Sequence, residues 1–85
     1  MPRQHGTNRN AKDRKYLLKI GDNIRAARKK RGYSQEAFAE IAGFSRSYYT
    51  EIETGKRNIS TLNLIKIIKV LNVDPNEIIS FLKPK

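Results

Sequence analysis

The sequence predicts an all-α protein of five short helices, and three features of its 85 residues carry that expectation. Apolar residues recur at spacings of three and four, serines stand just ahead of several apolar blocks, and glycines close them. Residues 1–14 hold almost nothing apolar beyond Met1 and Ala11, so burial cannot offset the entropy of ordering them. They are expected to form a flexible basic N-terminal tail, in front of one domain over 15–83.

Leu17, Ile20, Ile24 and Ala27 place a single apolar stripe along a first helix over 15–30. Arg28, Lys29, Lys30 and Arg31 close it, where cations suit the negative end of the helix dipole, and Gly32 is a natural stop. Ser34 then caps a second helix to Ala42, Gly43 supplies the positive φ of a tight turn, and Ser45 caps a third helix that Gly55 ends. After the basic loop Lys56-Arg57-Asn58, Ser60 caps a fourth helix over 61–71. Pro75, following Asp74, suits the first turn of a fifth helix reaching about Leu82.

Charge narrows the function. Lys plus Arg number 18 against 8 Asp plus Glu, a net charge of +10. Such a field concentrates polyanions, and nucleic acid is the commonest polyanionic partner of a small basic protein, although ribosomal and membrane-surface proteins share the composition. Cysteine is absent, so no disulfide or thiolate metal site is available. No apolar run approaches the roughly 18 residues of a membrane span, and the polar start lacks the apolar segment of a secretory signal. A cytoplasmic protein without cofactor, metal or membrane partner is expected. An enzyme is excluded on the same grounds: His5 is the only histidine and falls in the tail, and Thr54-Gly55-Lys56 ends a helix instead of opening one as a phosphate loop does.

The informative stretch is YSQEAFAEIAGFSRSYYTEIETGKRNIS, residues 33–60. Two short helices flank a glycine, Ala39 stands one turn before Gly43, and Phe38, Ala42, Phe44, Tyr49 and Ile52 can fill the angle between them. Helices cross steeply only where a small side chain lets their axes approach and the turn residue accepts a left-handed conformation. With Ser34-Gln35-Glu36, Ile52-Glu53, Gly55-Lys56 and Leu71-Asn72-Val73 at their offsets, the pattern resembles the Cro and lambda-repressor type of helix-turn-helix, the XRE family, over about residues 20–81. The resemblance implies a lambda-repressor-like five-helix DNA-binding domain. Arg57-Asn58-Ile59-Ser60 and Arg46-Ser47-Tyr48 look most like the controller proteins of restriction-modification systems. Those proteins act as dimers on their own gene and the endonuclease gene. A phage-type repressor or an antitoxin with a protein partner is the alternative, and RNA binding a third.

In such a motif the second helix enters the major groove, its N-terminal side chains facing base edges. That assigns base contacts to Ser45, Arg46, Ser47, Thr50 and Glu51. Arg46 can pair with both guanine acceptors, or else meet a phosphate; Ser47 and Thr50 can bond a base edge, touch a thymine methyl or simply face solvent. Glu51 can accept from cytosine N4 or pair with a surface cation. Backbone contacts are expected from Ser34 and Gln35 at a helix N-terminus, from the Tyr48 hydroxyl unless its ring packs half-buried, and from Lys56, Arg57 and Asn58. The tail cations Arg3, Arg9, Lys12 and Arg14 can follow a groove or stay solvated. From the resemblance come three further expectations: a structural salt bridge between Arg28 and Glu53, Tyr49 in an interhelical position usually held by an aliphatic residue, and Glu36 and Glu40 as either an RNA polymerase contact or a solvated acidic face.

The fourth helix carries more apolar residues than one stripe needs. Leu64, Ile67, Ile68 and Leu71 form the inward set. Leu62, Ile65 and Val70, with Ile79, Phe81 and Leu82, are left for a homodimer interface, unless the last helix covers them in a monomer. A two-fold dimer would set two recognition helices one DNA turn apart on a pseudo-palindromic operator.

Overall fold

Serine caps set the boundaries of three helices. In the computed structural model, which describes residues 11–82, the chain forms α1 (Ala11–Lys30), α2 (Gln35–Ala42), α3 (Arg46–Glu53), α4 (Thr61–Leu71) and α5 (Asn76–Ile79), then a 3-10 turn, Ser80–Leu82. Ser34, Ser45 and Ser60 sit in extended backbone and accept from Ala37 N, Tyr48 N and Asn63 N at 3.0–3.1 Å. Each bond satisfies a donor that the first turn of a helix otherwise leaves free.

Two ends differ from expectation. α1 begins at Ala11, inside the expected tail, because Ala-Lys-Asp-Arg-Lys contains no helix breaker and Asp13 stands in the first turn beside the positive end of the dipole. Asp13 and Arg14 in that turn are exposed and polar, so apolar periodicity could not register it. The last element tightens into a 3-10 turn at Ser80 instead of continuing as α-helix to Leu82. Asp74 Oδ1 accepts from Asn76 N at 2.9 Å and so opens α5, with Pro75 at its N-cap. Residues 1–10, with Arg3, His5 and Arg9, lie outside the described residues.

Ile24, Phe38, Tyr49, Ile67, Leu71 and Ile78 are fully buried in one core, each side chain contributing about 1.5–3 kcal/mol of burial. Tyr33, Phe38 and Tyr49 run through it as a chain of tilted rings with centroids 5.7 and 5.2 Å apart. Ala39, 2% exposed, sits where α2 meets α3. Gly43 takes φ 81° between them, its N–H reaching Glu40 O while Phe44 N–H reaches back to Ala39 O at 2.8 Å. Asn23 Nδ2 donates to Ile78 O at 2.8 Å, and Arg31 Nη2 to Asn72 O at 2.9 Å, tying α1 to α5 and to the end of α4.

Gly21 lies on the apolar stripe of α1 between Leu17 and Ile24, and is buried. A Cβ there would stand 2.5 Å from the carbonyl oxygens of both Ile52 and Glu53. The missing side chain therefore lets the C-terminal turn of α3 lie directly on α1. Gly21→Ala gains about 1 kcal/mol of helix propensity but collides with backbone atoms that cannot swing away. We expect the clash to win, with a lower melting temperature than wild type in a thermal unfolding experiment.

Candidate nucleic-acid interface

Arg28 lies two turns beyond Gly21 on α1 and reaches the end of α3. Its Nε donates to Glu53 Oε2 at 2.6 Å and Nη2 to Oε1 at 3.2 Å, with the two side chains 7% and 1% exposed. Nη1 reaches Tyr33 O at 2.7 Å. Glu53 also accepts from the Tyr49 hydroxyl and, at 3.0 Å, from Gln35 Nε2. Burial drives the Glu53 carboxyl upward, but bonds from Arg28, Gln35 and Tyr49 outweigh it and hold the pKa below the ordinary carboxylate value. The same pair raises the Arg28 pKa through the Glu53 hydrogen bond, and burial pushes the Tyr49 hydroxyl well up. Tyr49 thus fills a core position without leaving its oxygen unsatisfied.

This network clamps α1, α2 and α3 together and points the start of α3 outward. Ser45, Arg46 and Ser47 are exposed at its N-terminus, and the Arg46 side chain keeps 65% of its surface, with only a loose 4.0 Å approach to Glu36. Thr50 follows one turn on, half-buried, its Oγ1 donating to Gln35 Oε1 at 3.3 Å. Lys56, Arg57 and Asn58 are exposed beyond the end of α3, and Ser34 lies at the head of α2.

Several expected contacts are already engaged within the chain. The Gln35 side-chain amide turns inward to Glu53 and Thr50, so the phosphate contact expected at the head of α2 falls to the helix N-terminus and not to this amide. Glu51 takes the ion-pair alternative: Arg57 Nε and Nη2 each lie 3.0 Å from its Oε1. That pair is partly exposed and worth little, so a phosphate can compete for Arg57. Tyr48 packs half-buried, edge-on to Phe44 with the Arg57 guanidinium 5.3 Å above its ring, and its oxygen accepts from Asn63 Nδ2 at 2.8 Å. Glu36 and Glu40 are exposed on α2.

The residues expected at a dimer interface also divide. Leu62, Ile65 and Leu82 are 75%, 46% and 53% exposed. Val70 and Ile79 are partly buried and pack against the chain's own core, because the inward face of α4 and α5 is wider than the four-residue set implied. Phe81 is partly buried and stacks on Tyr16 with centroids 6.5 Å apart. Gly21, Asn23 and Asn63 escaped the sequence reading. Gly21 alone left a signal, a glycine at a core-facing helical position.

Two helices joined by a left-handed glycine turn, the second with an exposed and cationic start, define a helix-turn-helix of the DNA-binding class. The chain belongs to the HTH_3 helix-turn-helix family, XRE type, whose profile matches residues 24–78. It is similar to control protein C.MunI of a Mycoplasma species, 41% identical over 64 residues that span 74% of this chain and 86% of that protein. Control protein C.BamHI of Bacillus amyloliquefaciens is 38% identical over 65 residues, 75% of this chain and 80% of the relative. The crystal structure of the restriction-modification controller protein C.AhdI from Aeromonas hydrophila superimposes with TM-score 0.69 at 39% identity, covering 73% of this chain and 94% of that one. The family is one of DNA-binding regulators, not enzymes. Among the described residues no helix is long and apolar enough to cross a membrane, and no group of acidic, histidine or cysteine side chains could hold a metal ion.

The ionised Glu53 makes stability depend on pH. Because its folded-state pKa lies below the ordinary value near 4.5, its contribution is complete above that pH and is lost as pH falls through the folded-state value. Denaturant unfolding between about pH 3 and 7 should show that decline. Glu53→Gln, which leaves the Arg28 charge buried and unpaired, should cost about 3–5 kcal/mol at neutral pH and flatten the acid limb. Tyr49→Phe, the milder change, should cost about 1.5–3 kcal/mol.

Proposed function

We propose that this chain is a sequence-specific transcription regulator that binds a pseudo-palindromic operator as a homodimer, in the role of a restriction-modification controller. The observation that carries the reading is the exposed Ser45-Arg46-Ser47 start of α3, held outward by the buried network. Arg46 is long, unencumbered and suited to a guanine edge; Ser47 lies beside it. Lys56, Arg57 and Asn58, with the backbone at the head of α2, would grip phosphates on either side and set register. Likeness to C.MunI, C.BamHI and C.AhdI favours a controller over a phage-type repressor or an antitoxin.

Homodimerisation is assigned to Leu62 and Ile65 on α4 together with Leu82, the exposed members of the apolar set. Such a pairing would also add burial to a small and marginally stable domain. Glu36 and Glu40 remain available to a partner such as RNA polymerase once the protein is on DNA.

Selection of bound sequences from a random duplex pool at about 150 mM salt, where purely electrostatic binding is weakened, tests the operator reading. A two-fold symmetric site should emerge, and Arg46→Ala should relax preference at one position in each half-site by about 1–3 kcal/mol. Enrichment of no sequence would overturn the reading. Replacing Leu62 and Ile65 together with lysine should leave the helical content intact and shift sedimentation from dimer to monomer. An unchanged dimer would move the interface elsewhere.

A further inference from the structure

Gln35 stands between a buried carboxylate and a groove-facing hydroxyl, and its amide can point only one way. Nε2 lies 3.0 Å from Glu53 Oε1, and Oε1 lies 3.3 Å from Thr50 Oγ1. The two ends of an amide have nearly the same shape but opposite chemistry. An ionised carboxylate only accepts, and Glu53 is kept ionised by the paired Arg28 guanidinium. Reversing the amide would set its oxygen against a carboxylate oxygen. Nε2 therefore faces Glu53, and the oxygen left facing Thr50 also only accepts. The single hydroxyl proton of Thr50 goes to Gln35, and Oγ1 retains only lone pairs for any other partner.

Thr50 lies on α3 one turn beyond Arg46, on the face that the operator-binding reading directs into the major groove. We infer that the Thr50 hydroxyl, with its proton held by Gln35, acts as an acceptor-only reader that selects an amino-bearing base, adenine or cytosine, over guanine or thymine at one position of each half-site. The inference rests on that operator-binding reading.

The groove chemistry supports the code. Adenine N6 and cytosine N4 present donors there, whereas guanine O6 and N7 and thymine O4 present acceptors. A freely rotating threonine hydroxyl either donates or accepts and so reads both classes. One whose proton is committed meets a keto oxygen as one acceptor facing another. Phosphate oxygens are acceptors too, which removes Thr50 from the backbone contacts. Gln35 is in this account a positioning residue: its side chain acts on DNA only through Thr50.

The test compares sequences selected from a random duplex pool by wild type, Thr50→Val, Thr50→Ser and Gln35→Leu, with thermal melts to establish folding. The contacted position is the one whose preference Thr50→Val abolishes. Wild type should favour adenine or cytosine there about fivefold, a discrimination the size of one hydrogen bond. Thr50→Ser, which keeps the hydroxyl, should retain it. Gln35→Leu should admit guanine and thymine at that position alone, leaving the position that depends on Arg46 unchanged. Enrichment of guanine or thymine by wild type at the Thr50 position, or an unaltered preference in folded Gln35→Leu, overturns the inference while the operator reading stands. A wild-type selection with no enriched site overturns both. Should Gln35→Leu fail to fold, the valine and serine variants decide: loss in the first with retention in the second supports the inference, and any other pattern overturns it.

Discussion

The buried pairing of Arg28 with Glu53 is the interaction on which the rest of this structure depends. Taking a guanidinium and a carboxylate out of water carries a desolvation penalty that their mutual attraction repays only with well-formed hydrogen bonds on both sides. Here Glu53 is met by Arg28, Tyr49 and Gln35, and Arg28 also reaches the Tyr33 carbonyl. The pair need add little net stability to matter. A buried charge tolerates few arrangements, so α1, α2 and the end of α3 are confined to the one geometry that satisfies it.

That confinement is what a reading helix requires. Base edges differ by the position of a single donor or acceptor, so a helix free to slide or rotate on its support would lose discrimination. Gly21 lets the end of α3 rest on the backbone of α1, and the Gly43 turn sets the angle from α2. The network then joins the underside of α3 to both. The outer side of α3 stays open at Ser45, Arg46 and Ser47, while Thr50 is tied through Gln35 to the same carboxylate that anchors the core. In the function proposed above, support and readout would share one set of hydrogen bonds.

Much of this was legible along the chain. Ser34, Ser45 and Ser60 announce helix starts because a serine side chain answers the free donors of a first turn whatever the tertiary context. Gly43 announces the turn because an L side chain resists its φ. Spacing alone picks out Leu64, Ile67, Ile68 and Leu71 as inward on α4, although not Val70, which packs inward as well. Legibility fell where two elements share one residue. Gln35 reads as a surface polar group at a helix start, and nothing in its neighbours reveals that its amide lies between Glu53 and Thr50, from 15 to 18 positions away. For Tyr48 and Glu51 the sequence leaves a DNA contact and an internal partner both open, and Asn63 and Arg57, coming back across the end of α3, supply the internal partner.

By itself, then, the sequence determined the class of fold, the placement of its caps and turns, the strongly cationic character and the residues that head the second helix of the motif. All of these are local, set by the preferences of a residue and its neighbours within a turn or two. Only the tertiary structure decided which polar side chains remain free for a partner and which are already bound inside the chain. It also decided which apolar side chains of α4 and the chain end stand exposed, since Leu62, Ile65 and Leu82 do and Val70 and Ile79 pack inward. Hydrogen-bond partnership and burial depend on which segments distant in sequence are brought together, and that is settled by packing.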